Sequence, residues 1–230
     1  MSGVNQPSAN RTHVLVRVWL PDRPGALGQV AARIGAVRGD IVGVDVLECA
    51  GGIAIDEFAV NLADPEVVSI LVREIEEVDG ASIEEVRVVN HFPDPRLDAL
   101  GSATRLCAVD SVAELHEALT RQVQEEFLAE WSALICGFED GGEDKGTVLA
   151  TAGAAPPPEM LGALAVGLAA SPMVASGETG PEDLATASLP AHASTLLVER
   201  QGYPFRLRER GQLNALARIA DRLWELLGPR

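Results

Sequence analysis

Residues 13 to 20 alternate, with Val14, Val16, Val18 and Leu20 on one side and His13, Leu15, Arg17 and Trp19 on the other, the period-two pattern of a strand. Pro21 and Pro24 then interrupt any ladder. From Gly25 the period lengthens: Ala26, Leu27, Val30, Ala31, Ile34 and Val37 form one helical stripe, and Gly39 is placed to end it. Two β-branched runs, 41–48 and 53–62, flank Cys49-Ala50-Gly51-Gly52, where glycine permits the positive φ of a tight hairpin. Pro65 suits a first helical turn, and Val67, Val68, Leu71, Val72, Ile75 and Val78 make a second stripe that Gly80 closes. Residues 82–89 read as a fourth strand. The order β-α-β-β-α-β predicts the split, ferredoxin-like arrangement, both helices covering one face of an antiparallel sheet.

The pattern stops at His91-Phe92-Pro93-Asp94-Pro95, because two prolines in three residues neither extend a sheet nor easily start a long helix. Beyond it, Val112, Leu115, Leu119, Val123, Phe127 and Leu128 mark an amphipathic helix that Asp110 or Ser111 can cap. Residues 131–138 and 147–152 predict a hairpin around the polar loop 139–146. An Ala- and Leu-rich helix follows over 159–170, then a loop-like stretch, 172–190, with at most one short strand. Residues 195–199 predict a strand, and Leu213, Leu216, Ile219, Ala220, Leu223 and Leu227 a closing helix. The fold class is α+β, organised as a flexible N-terminus (1–11), a first domain (12–90), a linker (91–96) and a second domain (97–230). A chain of 230 residues is long enough for two such cores.

The formal charge of −16 repels phosphate backbones and anionic membrane surfaces, so neither nucleic acid nor a membrane is an expected partner. The acidity is spread over both halves and does not form a tail. Three cysteines, Cys49, Cys107 and Cys136, share no paired spacing and predict reduced thiols without a zinc cluster. The polar opening residues show no secretory pattern, and the longest apolar tract, 160–170, is far short of a bilayer span, so a cytoplasmic protein is expected.

The strand, the turn Asp22-Arg23-Pro24-Gly25-Ala26-Leu27 and the following helix resemble the ACT family, whose first loop commonly reads polar-basic-Pro-Gly-x-Leu. The likeness covers residues 13–89 in motif and element order. It implies a regulatory module that binds an amino acid at a dimer interface. Asp40, opening the second strand beside Ile41, matches the position where the family often places a contact supplied by the partner subunit. Physical chemistry gives the turn a use of its own. The first N–H groups of a helix lack partners and carry partial positive charge, which suits a carboxylate, Gly25 removes a side chain from the approach, and Asp22 can accept from an ammonium. The candidate ligand residues are therefore Asp22, Arg23, Pro24, Gly25, Ala26, Leu27, Asp40 and Ile41. Asp22 is equally suited to capping a helix, and Pro-Gly to a structural turn, while Trp19 can either wall such a pocket or fill it.

In the second half, Gly202, Pro204 and Phe205, followed by Leu213, Leu216, Ala217 and Ala220, resemble the end of a GAF domain, a likeness extended over about 97–228. It implies a sheet with flanking helices and a small pocket over the sheet, for which Trp131, Phe138, His192 and Arg206 are possible lining residues. Packing explains the aromatics equally well, and His192 reads as a surface loop histidine. The four histidines show no metal-ligand spacing, Glu125 and Glu126 diverge around their helix onto a solvated edge, and the lone Lys145 lies in an acidic loop, so no catalytic constellation, cofactor or metal is expected. The sequence predicts a non-enzymatic sensor, small-molecule-binding and homodimeric. The other reading is a dimerising scaffold that regulates a protein partner without a ligand.

Overall fold

The computed structural model describes residues 11–137, 146–175, 177 and 180–228. The fold is mixed α+β, and the chain forms two compact units that divide between Pro93 and Asp94.

The first unit runs β1 (Thr12–Pro21), α1 (Ala26–Ala36), β2 (Asp40–Ala50), β3 (Ile53–Leu62), α2 (Val68–Glu76) and β4 (Ser82–Val89), with a 3-10 turn over Pro65–Val67 before α2. Its antiparallel sheet has the order β2-β3-β1-β4, which is the ferredoxin-like arrangement. Alternation fixes the faces: Val14, Val16, Val18 and Leu20 of β1 join Phe58, Val60 and Leu62 of β3 in a core with Val30 and Ile34 of α1 and Leu71 and Ile75 of α2. Gly51 and Gly52 both take positive φ in the two-residue β2–β3 hairpin. At the end of α1 the left-handed residue is Arg38 (φ 60°), not Gly39. Gly39 instead allows close packing, since a Cβ there would lie 2.8 Å from Ile34 Cγ2.

The opposite sheet face carries charge. Arg17 pairs with Glu57 at 3.0 Å and Glu84 at 3.7 Å, and Arg87 reaches Glu57 at 3.7 Å.

The second unit comprises α3 (Pro95–Cys107), α4 (Val112–Glu126), β5 (Trp131–Cys136), β6 (Thr147–Gly153), α5 (Pro158–Ala169), a short α6 (Pro172–Ala175), β7 (Leu184–Leu189), β8 (Ser194–Glu199) and α7 (Leu207–Leu227). Its antiparallel sheet has the order β6-β5-β8-β7. One face packs on α4 and α7 through Leu134, Ala187, Leu196 and Val198, while the other takes Trp131, Ile135 and Leu197 against Leu161 of α5.

The helix α3 departs from the sequence reading, in which Pro93 and Pro95 discourage a long helix. Pro95 occupies the first helical turn, where its missing N–H costs nothing, and Asp94 caps it by accepting from the N–H groups of Arg96 and Leu97, each at 3.1 Å. Among the described residues, no helix is long and apolar enough to cross a membrane.

Candidate ligand site at the start of the first helix

After Pro21 the chain turns through four exposed residues, Asp22, Arg23, Pro24 and Gly25, before Ala26 enters the core. The Asp22 N–H donates to the Gly52 carbonyl at 2.9 Å, which ties the turn to the tip of the β2–β3 hairpin. Gly25 occupies the N-cap position with φ 91°, a conformation that favours glycine, and no side chain caps the helix. Asp22 is therefore not the cap. The Ala26 N–H donates to Arg23 at 3.2 Å and the Gln29 N–H to Gly25 at 3.0 Å, whereas no acceptor among the described residues takes the N–H groups of Leu27 and Gly28. Leu27 is exposed. The start of α1 thus offers open donors and the positive end of a helix dipole, at the end of a turn that carries Asp22.

Two further groups interact with the Asp22 side chain. The Cys49 thiol lies against Asp22, and that hydrogen bond, followed by desolvation and the charges of Asp22 and Asp56, raises its pKa above the ordinary 9.0. It is a protonated thiol at neutral pH and a poor nucleophile. Asp56 projects from β3 on the helix-covered face, 3% exposed, and its Oδ1 finds no hydrogen-bond partner. Burial, with a further push from the Asp22 charge, raises its pKa.

Asp40 and Ile41 stand elsewhere. Asp40 pairs across the sheet with Asn61, itself opposite His13 at the start of β1, whereas Asp22 follows the end of β1. The two aspartates are separated within one chain by about the length of that strand, roughly 30 Å. Asp40 is exposed and pairs with Arg11 at 3.7 Å, and Ile41 packs at the edge of the core. Trp19 faces away from α1, its indole N–H donating to Glu84 at 2.9 Å, so it neither walls nor fills a space at this turn.

No family model matches the chain, and no curated protein matches it. Similar solved structures include an uncharacterized protein from Thermotoga maritima, 15% identical, with 35% of this chain and 100% of that one covered and a TM-score of 0.29. The ACT domain of GTP pyrophosphokinase from Chlorobium tepidum is 14% identical over 36% of this chain and 92% of its own, with a TM-score of 0.30. An unknown protein from Galdieria sulphuraria is 12% identical over 94% of this chain and 95% of that one, at 0.32. Likenesses at these scores carry no functional argument.

In the second unit the proposed lining residues do not converge. Trp131 is core beneath α5, its indole N–H bonded to Glu199, and Phe138 lies outside the described residues, as does Lys145. Arg206 is buried at the start of α7, its backbone N–H donating to Glu209 at 2.9 Å. His192 is not a free surface residue: its Nδ1 lies 2.8 Å from Asp221, and its ring stacks on Trp224 at 4.0 Å. His116 meets the same indole edge-on, buried, and its pKa is lowered by desolvation and then by the charge of His192. Glu126, expected on a solvated edge, accepts from Ser102 of α3 and Gln212 of α7 and so ties three helices together. Among the described residues, no group of three His, Cys, Asp or Glu side chains is placed to hold a metal ion.

Proposed function

We propose that this is a regulatory protein whose first unit, ACT-like, binds an amino acid at the start of α1. The observation that carries this reading is the uncapped first turn: the N–H donors at Leu27 and Gly28 are open at the end of the exposed turn that also carries Asp22. A ligand carboxylate is received by the donors and the helix dipole, and its ammonium by Asp22, so both charges of a zwitterion are met. Gly25 keeps the approach clear, with nothing within 4 Å of where its Cβ would stand.

Asp40 and Ile41 belong to this site only if a second copy supplies them, so the reading includes a homodimer. The GAF-like second unit is then the element whose state the ligand alters. That transmission requires different affinity for two arrangements of the protein. Calorimetry of the full chain against the common amino acids tests the reading. Saturable binding by one class, weakened at least roughly tenfold by Asp22→Ala through loss of a charge-assisted contact, is the expected result. Heatless titrations with all of them, for a protein shown to be folded, would overturn it.

A second reading, a ligand-free dimerising scaffold, draws on the edge strand β2, where Val42, Val44 and Val46 are exposed. Under that reading Asp22→Ala leaves assembly and every function unchanged.

A further inference from the structure

In the second unit the contact between α4 and α7 holds a cluster of polar rings at the edge of an apolar core. His116 of α4 is 8% exposed, and its ring meets the Trp224 indole of α7 edge-on with 4.0 Å between centres. His192, from the 3-10 turn Pro190–His192, lies on the same indole, nearly parallel at 6° and again 4.0 Å away. Asp221, three residues before Trp224 on α7, holds that second imidazole. Its Oδ1 lies 2.8 Å from His192 Nδ1, and its Oδ2 accepts the Ala191 N–H at 3.1 Å. One tryptophan thus carries two imidazoles, and a carboxylate is bonded to His192 alone among them.

His116 Nε2 is buried and has no hydrogen-bond partner among the described residues. The charged groups on the surrounding elements are engaged elsewhere or face solvent. On α4 itself Glu114, Glu117 and Arg121 are exposed, as is Arg218 of α7. The strands β5 and β6 carry no Asp, Glu, Lys or Arg, and Glu199 of β8 accepts from the Trp131 indole. Arg105 of α3 donates to Gln122, and Arg222 and Glu225 of α7 pair with each other at 2.6 Å. A neutral ring fits this place. An imidazolium, with an N–H that finds no acceptor and a second imidazole on the same indole, does not. Desolvation, and then the charge of His192, lowers the His116 pKa from its ordinary 6.5.

We infer that His116, Trp224 and the His192–Asp221 pair form a proton-sensitive latch, which holds the C-terminal turns of α7 on α4 at neutral pH and releases them on acidification. Protonation favours the arrangement in which His116 reaches water, and that separates it from Trp224. A histidine that is harder to protonate in the folded state contributes stability above its unfolded value, and this is lost as pH falls through 6.5 towards the folded value. Leu223 and Leu227, which pack on the core from the same turns of α7, are the apolar surface that release exposes. The latch lies within the second unit and needs no ligand in the first.

An NMR pH titration of the full-length protein tests this. The His116 ring resonance, assigned through its contact with the Trp224 indole, is expected to titrate below 6.5. Amide protection over residues 221–227, corrected for intrinsic exchange, is expected to fall between about pH 7.5 and about pH 5, by up to roughly tenfold per unit of that lowering. In His116→Phe, which keeps a ring against Trp224 but takes up no proton, the fall disappears. A His116 that titrates at or above 6.5, as a cation seated on the indole would, overturns the latch. So does protection of α7 that is unchanged by pH in the wild-type protein, or one that falls equally in His116→Phe. Both wild-type readings stand even if the variant folds poorly.

Discussion

Asp56 is a single residue whose chemistry runs against its surroundings, and this has a consequence for stability. Its folded pKa lies above the unfolded 3.8, because burial and then the Asp22 charge disfavour the ionised form. A raised carboxylate pKa contributes stability that is present below the unfolded value and is lost as pH rises through the folded value. Above the unfolded value the side chain is therefore a net cost. Asp56→Asn keeps the shape and removes the charge, so the variant is expected to be more stable than the wild type near pH 7, by on the order of 1–2 kcal/mol. The gap should close as pH falls below the folded value. Urea unfolding of both proteins from pH 3 to pH 8, roughly the span of carboxylate titration, checks this; a variant less stable at neutral pH would show that Asp56 is satisfied in the free protein. In the sequence, the turn at Gly25 was legible because Pro and Gly there have few alternative uses. Asp56 was not, since an acidic residue in a strand ordinarily faces water. Its only signal was parity: it falls two residues before Phe58 and four before Val60, on the apolar side of the alternation.

At the scale of elements, the strands and helices of the first unit were legible because each buries one clear face, and two glycines fix the hairpin between β2 and β3. The helix α3 was not, for a physical reason: Leu97 and Leu100 are exposed while Ser102 and Leu106 are the buried positions, so its sequence carries no apolar stripe. Only the Asp94-Pro95 cap announces it. The stretch that resembles a GAF ending has a structural explanation in Arg200, which is buried just after β8. Its guanidinium donates to the carbonyls of Tyr203 at 2.8 Å, Phe127 at 3.1 Å and Pro204 at 2.9 Å, pairs with Glu209 at 2.7 Å, and lies 4.1 Å from the centre of the Phe205 ring. One side chain thus holds the Gly202-Pro204-Phe205 turn and anchors the first turn of α7. Lysine cannot reproduce this fork of donors. Arg200→Lys is expected to cost about 3 kcal/mol, since it leaves buried carbonyls and Glu209 under-satisfied. A denaturant midpoint unchanged within error would contradict the assignment of the turn to Arg200.

For the whole molecule, the proposed dimer brings together what one chain separates. The strand β2 is an edge of the first sheet, eleven residues long, with Val42, Val44 and Val46 exposed. A long apolar edge invites pairing with another copy of itself. Antiparallel pairing about a two-fold axis at Val44 sets Val44 against its own copy and Val42 against Val46 of the second chain. The same register sets Asp40 of the second chain against Glu48, one residue from the Cys49 that contacts Asp22. Two acidic residues then face each other across the seam, and Arg11, paired with Asp40 at 3.7 Å, offsets part of that repulsion. A ligand held between the turn and this seam would link the two events, so assembly and amino-acid binding should reinforce each other. Val44→Lys places two ammonium groups opposite each other on the axis, at a partly exposed edge position that is not a member of the apolar core cluster. Sedimentation equilibrium of this variant is expected to show dimerisation weakened by roughly tenfold or more, with thermal unfolding of the monomer little changed. Amino-acid affinity should fall with it, because Asp40 of the second chain no longer approaches the turn. A wild-type protein that remains monomeric at high concentration would refute the dimer. A Val44→Lys protein that dimerises as before would move the seam away from β2.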